Sequence, residues 1–166
     1  MTVFLCGFMG CGKTTVGKIA AKKLGYGFCD SDELIVEREG MSIPEIFAEK
    51  GETYFRQAEA EVIKSLCGKN IIVACGGGAM LNPDTAAAAA KAGAVIFIDL
   101  DFEACYERIS GDENRPIVIS STKEELEERF NARYDVYMKH STMQIDGSGS
   151  PLSTAELIAD AVKMLK

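Results

Sequence analysis

The sequence predicts an α/β fold in which a five-stranded parallel sheet is covered by helices on both faces. Five apolar runs of strand length recur along the chain: TVFLC, YGFCD, NIIVAC, AVIFIDL and TMQID. The first four are separated by stretches with helical periodicity, and this alternation is typical of parallel sheets. The 166 residues, 47% of them hydrophobic, match one domain that can bury its own core. We therefore expect residues 1–166 to form a single domain.

Helix boundaries can be predicted at several points between these strands. Ser42 and Glu45 have the spacing of a capping box, and Asn82 followed by Pro83 marks the start of a later helix. The alanine run after that start favours a packed helix, which Gly93 would end.

Two polar stretches depart from the alternation of strands and helices. Residues 31–67 form a long, mostly helical insert between the second and third strands, and such an insert can enclose a substrate. Residues 110–123 are rich in turn formers and carry Arg115 at their centre. We expect this second stretch to act as a mobile lid.

The segment GFMGCGKTT follows the first strand directly and precedes a helical stretch. Gly7, Gly12, Lys13 and Thr14 fit the phosphate-binding pattern G-x-x-x-x-G-K-[ST] in its proper context. Glycines with positive φ turn backbone N–H groups inward, and the helix that follows adds its positive end. Lys13 would reach the β- and γ-phosphates and Thr14 would ligate Mg²⁺. The alternative is a glycine-rich turn with an incidental lysine. With its strand, spacing and helix together, the motif predicts a three-layer P-loop NTPase sandwich.

Charge and composition narrow the partners and the compartment. A net charge of -7 argues against a nucleic-acid or anionic-membrane partner and favours a small molecule. We find neither a membrane-length apolar run nor a signal-peptide pattern, so we expect a cytoplasmic protein. The six cysteines form no zinc pattern. Cys11, inside the loop, is either a small neutral filler or a reactive thiol.

The second strand ends in FCDSD, which would place two aspartates at the carboxyl edge of the sheet. Asp30 can then face the Mg²⁺ region, while Asp32 can reach an acceptor hydroxyl. The alternative for each is a helix cap, although Ser31 can supply that cap alone.

Three consecutive glycines leave the third strand in CGGGAM. Such a run indicates either a close approach of a ligand to the backbone or a tight turn. Arg56 and Arg133, each on a helical stretch, are by themselves no more than candidate surface arginines.

Taken in order, these motifs resemble the shikimate kinase family over nearly the whole chain. The matching segments are GFMGCGKTT, CDSD, SIPEIF, GETYFRQAE, CGGGA, the NRP of the lid and ARYDVY. The family often has a proline soon after the arginine that Arg133 matches, whereas here the stretch reads RYDVY. The resemblance implies ATP-dependent phosphorylation of a ring hydroxyl of shikimate, in chorismate and aromatic amino acid biosynthesis. It also implies Mg²⁺, and we expect a monomer.

The resemblance also assigns roles to individual residues. Asp32 would orient or deprotonate the attacking hydroxyl, and Asp30 would hold Mg²⁺ through water. The shikimate carboxylate would be gripped by Arg56 and Arg133 with the backbone of Gly77 and Gly78. Contacts with ATP are implied for Gly10, Cys11, Gly12, Lys13, Thr14, Thr15, Arg108, Arg115 and Pro151. Among these, Arg108 would pack on adenine and Arg115 would swing over the phosphates, so the catalytic set is Lys13, Asp32 and Arg115.

Two rival functions remain open at this stage. A kinase for another hydroxylated acid, such as gluconate, would share the phosphate loop. A GTPase-like switch would be expected to carry an N-K-x-D tetrapeptide, which the sequence lacks.

Overall fold

A computed structural model describes residues 1–112 and 116–165 of the chain. Its five strands are β1 (Thr2–Cys6), β2 (Gly27–Asp30), β3 (Ile71–Ala74), β4 (Gly93–Asp99) and β5 (Met143–Asp146). All pairs are parallel, in the order β2-β3-β1-β4-β5. The predicted parallel sheet is confirmed, since each strand lies within one of the five apolar runs or extends it by one residue.

The helices within the described ranges are α1 (Lys13–Leu24), α2 (Ser31–Glu39), α3 (Ile43–Lys50), α4 (Glu52–Leu66), α5 (Pro83–Ala92), α6 (Phe102–Ile109), α7 (Pro116–Ser120), α8 (Lys123–His140) and α9 (Pro151–Met164). A short 3₁₀ helix at Ala79–Leu81 follows β3. The predicted capping box forms at Ser42 and Glu45, and Asn82 caps α5. The insert between β2 and β3 consists of α2, α3 and α4, as its periodicity predicts.

The central strand carries the core. Phe4 of β1 lies opposite Val73 on one side and Val95 on the other, and all three are fully buried. Helices α1 and α9 pack on each other, while α5 packs against α4 and α8. Burial on both faces explains why β1, β3 and β4 are continuous apolar runs rather than alternating ones.

The strand order also fixes where a ligand can bind. From β1 the chain continues to β2, at one edge of the sheet. From β3 it crosses β1 and continues to β4, on the other side of β1. A crevice at the carboxyl ends of the strands forms where such connections diverge. The phosphate loop follows β1 and the three glycines follow β3, so both lie at this crevice.

Candidate active site

The loop between β1 and α1 has the conformation that its glycines predict. Gly10 and Gly12 have φ values of 84° and 96°, in the left-handed region that disfavours other residues. At Gly10, a Cβ would also lie 2.7 Å from the Cys105 carbonyl oxygen. Gly12 starts α1 without any side-chain cap, so the first turn of α1 presents its N–H groups to a ligand.

Lys13 reaches back over this loop. Its Nζ donates to the carbonyl oxygens of Gly7 (2.8 Å) and Phe8 (3.1 Å), and lies 3.7 Å from the Cys11 Sγ. Cys11 is buried, which agrees with its interpretation as a small filler of the loop. The guanidinium of Arg108 donates to the Gly10 carbonyl oxygen at 3.2 Å. Two cationic side chains are therefore held at the loop.

Asp30 has two roles at the end of β2. One carboxylate oxygen accepts from the Thr14 hydroxyl at 3.0 Å, and the other accepts from the backbone N–H groups of Asp32 and Glu33. The second contact makes Asp30 the cap of α2, which is the alternative that the sequence left open for it, and Ser31 does not supply that cap. Ser31 is buried and instead accepts from the Gly76 N–H at 3.0 Å. Its hydroxyl is used to join α2 to the turn after β3.

Asp32 points toward that turn. Its Oδ1 is buried and has no hydrogen-bond partner among the described residues. Burial, and next the charge of Asp30, raise the pKa of Asp32 above its usual range, while Lys13 and Arg56 oppose the shift. A buried carboxylate oxygen without a donor is costly, and Asp32 also lines the cleft, so its carboxylate is a candidate acceptor for a ligand hydroxyl.

The three glycines after β3 are required for their small size. None of them has a positive φ, unlike the glycines of the phosphate loop. A Cβ on any of them would be too close to a predicted site residue. A Cβ on Gly76 would lie 2.5 Å from Asp32, and one on Gly77 would lie 3.1 Å from Arg133. A Cβ on Gly78 would overlap the guanidinium of Arg56. The turn thus brings together three predicted site residues from α2, α4 and α8.

Arg56 is held by a neighbour that sequence reasoning missed. Its Nη1 pairs with Glu59 at 2.9 Å, one turn later on α4, and Glu59 is only 3% exposed. Burial raises the pKa of Glu59, although the hydrogen bond from Arg56 opposes this. A carboxylate on the same helical face as the apolar residues Phe55 and Val62 was the signal available in the sequence.

One cleft of about 560 Å³ joins these parts. Predicted residues lining it are Gly10, Cys11, Gly12, Lys13, Thr14, Thr15, Asp30, Asp32, Gly77, Arg108 and Pro151. Arg56, Gly78 and Arg133 adjoin this cleft at the glycine turn, which consists of residues 76–78. Arg115, predicted as the lid arginine, lies outside the described residues. Within residues 1–112 and 116–165 no group of three or more His, Cys, Asp or Glu side chains can hold a metal ion.

None of the described helices is both long and apolar enough to cross a membrane.

Comparison with known proteins gives a consistent result. A family model described as shikimate kinase matches residues 9–165. The shikimate kinase of Geobacillus kaustophilus is 41% identical over 165 residues, 97% of this chain and 88% of that protein. That of Geobacter sulfurreducens is 44% identical over 149 residues, 89% and 82% of the two chains. A solved shikimate kinase from Acinetobacter baumannii, in complex with shikimate, superposes with a TM-score of 0.90 at 31% identity, over 99% and 94% of the chains.

Proposed function

We propose a residue-level mechanism for this chain from the premise that it belongs to the shikimate kinase family, whose enzymes transfer the γ-phosphoryl group of ATP to shikimate. The products are shikimate 3-phosphate and ADP, and the reaction belongs to aromatic amino acid biosynthesis. The observation that carries the mechanism is the glycine turn, which holds one carboxylate and two guanidinium groups beside the phosphate loop. A phosphate donor and an anionic hydroxylated acceptor would meet there.

The loop side of the cleft is proposed to bind ATP. The N–H groups of residues 10–15 would surround the phosphates, and Lys13 would exchange its contacts with loop carbonyls for phosphate oxygens. Arg108 and Pro151, which both line the cleft, would border the adenine. Arg115 would close over the phosphates from the lid, residues 110–123, and stabilise the charge of the transition state.

Mg²⁺ fits the donor set at the start of α1. Thr14 and Asp30 provide only hard oxygen donors, 3.0 Å apart, beside the phosphate loop. Since Mg²⁺ keeps several waters and takes few protein ligands, the lack of a three-residue cluster in the described ranges is compatible with it. Thr14 would ligate the ion directly and Asp30 through water. When bound, Mg²⁺ neutralises charge on the β- and γ-phosphates.

The part of the cleft beside the glycine turn is proposed to bind shikimate. Arg56, Arg133 and the N–H groups of Gly77 and Gly78 would grip the carboxylate, since guanidinium groups pair with carboxylates through directed hydrogen bonds. Asp32 would accept the hydrogen bond of the attacking hydroxyl, align its oxygen on the γ-phosphorus and take up the proton. Phosphoryl transfer depends mainly on positioning and charge neutralisation, which this arrangement supplies.

We further propose that the chain works as a cytoplasmic monomer on small molecules, with neither nucleic acid nor membrane as a partner. The net charge of -7 supports the part of this proposal that concerns nucleic acid and anionic membranes.

An ADP-release assay across a panel of hydroxy acids tests the proposal. Shikimate should give turnover at least ~10²-fold above gluconate, because the paired arginines suit a compact ring carboxylate. Equal turnover on gluconate would favour the rival sugar-acid kinase. ADP release that is independent of any acceptor would favour a nucleotide switch.

A further inference from the structure

Tyr137 is a fully buried residue to which the sequence assigns no role. It lies on α8, four residues after Arg133, and its ring packs against Phe97 of β4 with centroids 5.4 Å apart. Its hydroxyl donates to the Gly77 carbonyl oxygen at 2.6 Å, across 60 positions of sequence. A short hydrogen bond from a rigid aromatic side chain fixes the glycine turn against the core.

The hydrogen bonds of that turn leave a specific pair of donors. The carbonyl oxygens of Gly76 and Gly78 accept from the N–H groups of Ala79 and Leu81, and the Gly76 N–H donates to the Ser31 hydroxyl. The Gly77 carbonyl is taken by Tyr137. Among the described residues, the N–H groups of Gly77 and Gly78 have no partner. These two N–H groups are the donors assigned above to the carboxylate.

Tyr137 controls the direction of one of these donors. The peptide that joins Gly77 to Gly78 is planar and trans, so its N–H points opposite to its carbonyl. Because the hydroxyl of the buried Tyr137 binds that carbonyl, the Gly78 N–H points away from Tyr137. Three glycines in succession would otherwise leave this peptide free to rotate.

The same hydroxyl also lies beside Arg133. The space where a Gly77 Cβ would be built is 3.1 Å from the Arg133 Nη1 and 3.8 Å from the Tyr137 hydroxyl. Burial raises the pKa of Tyr137, and the charge and hydrogen bonding of Arg133 oppose that shift. Tyr137 therefore stays a neutral phenol that donates to the turn while its oxygen can accept from the guanidinium.

We propose that Tyr137 is a positioning residue for the acceptor carboxylate, which orients both the Gly77–Gly78 peptide and the Arg133 guanidinium through its hydroxyl. This inference rests on the proposed placement of the shikimate carboxylate. The inference extends that placement, because Tyr137 would influence substrate specificity without itself contacting the substrate.

The test compares two tyrosine-to-phenylalanine variants. Tyr137→Phe removes only the hydroxyl in question. Tyr134→Phe is a matched control, because Tyr134 lies on the same helix and against the same Phe97, but its hydroxyl donates to Asp99 at 2.9 Å. Steady-state KM and kcat are measured for shikimate, its carboxamide and ATP, and thermal melting checks the fold. Arg133→Ala is assayed alongside as the positive reference.

Tyr137→Phe should raise the KM for shikimate roughly five- to 30-fold, leave the KM for ATP within about twofold and reduce the preference for shikimate over its amide. Tyr134→Phe should match the wild type. The inference is overturned if Arg133→Ala raises the shikimate KM while Tyr137→Phe does not, or if both tyrosine variants raise it equally. If Arg133→Ala itself leaves that KM unchanged, the proposed carboxylate site is wrong and the inference falls with it.

Discussion

Replacing Gly78 by alanine should disable the acceptor site through a single added methyl group. Gly78 has φ −96° and ψ −11°, which alanine adopts without strain, so the backbone should stay in place. The new Cβ would overlap the Arg56 Nη1 and lie 2.6 Å from its Cζ. Because a guanidinium ends a flexible side chain, it should yield by roughly 1 Å to restore van der Waals contact.

The magnitude follows from the contact that this movement breaks. A charge-assisted hydrogen bond contributes about 1.5–3 kcal/mol. Its loss corresponds to a KM for shikimate raised roughly ten- to 150-fold. The pair between Arg56 and Glu59 would be disturbed as well, but neither residue is among those that line the cleft together with the phosphate loop. The KM for ATP should therefore stay near its wild-type value.

The assay is ADP release at varied shikimate, with two comparisons. Gly27→Ala serves as the matched control, because a Cβ there meets its nearest atom at an ordinary 3.4 Å. In an Arg56→Ala background the Gly78→Ala change should cost nothing further, since the clashing group is gone. A wild-type KM in Gly78→Ala, or fully additive losses in the double variant, would refute the placement of Arg56 at the substrate.

Three further results are expected. Lys13→Met should abolish turnover while circular dichroism stays unchanged, and near-normal turnover would contradict the role of the loop. Asp30→Asn keeps a good cap for α2 but removes a charge, so the Mg²⁺ concentration for half-maximal activity should rise; an unchanged requirement would place the ion elsewhere. Burial and the charge of Asp30 raise the pKa of Asp32, so kcat/KM should fall on the acidic side at a pH above the usual aspartate pKa of ~4. In Asp30→Asn one of these causes is removed, so the acidic limb of the pH profile should move to lower pH. Identical limbs in the two proteins would argue against Asp32 as the titrating group.

The sequence predicted those parts of the molecule that depend on local pattern. Strands such as β1 and β4 are apolar throughout because helices cover both faces of the sheet, and the phosphate loop is recognisable because Gly12 and Lys13 keep fixed spacing. Asp30 and Asp32 were assigned to the carboxyl edge because β2 ends there. These predictions need no knowledge of long-range contacts.

The remaining features depend on contacts between distant segments. Ser31 and Asp30 are both good caps by residue type. In the structure Asp30 caps α2, while the Ser31 hydroxyl accepts from the distant Gly76 N–H. The Tyr137 hydroxyl meets Gly77 only because α8 packs beside the turn after β3. The glycine run was predicted to mark a close approach of a ligand or a tight turn. The structure shows a turn there, and only the distant residues Asp32, Arg56 and Arg133 explain why its members must be small.

The measurement that tests the account most directly is phosphate transfer by Asp32→Asn. Asparagine keeps the shape of the side chain but loses the charge and most of the basicity. We expect the variant to bind ATP normally and to phosphorylate shikimate ~10²–10⁴-fold more slowly, toward the lower end if little proton removal is needed early in the transfer. Full turnover on shikimate would show that the acceptor hydroxyl does not lie at Asp32, and the proposed acceptor site would be wrong.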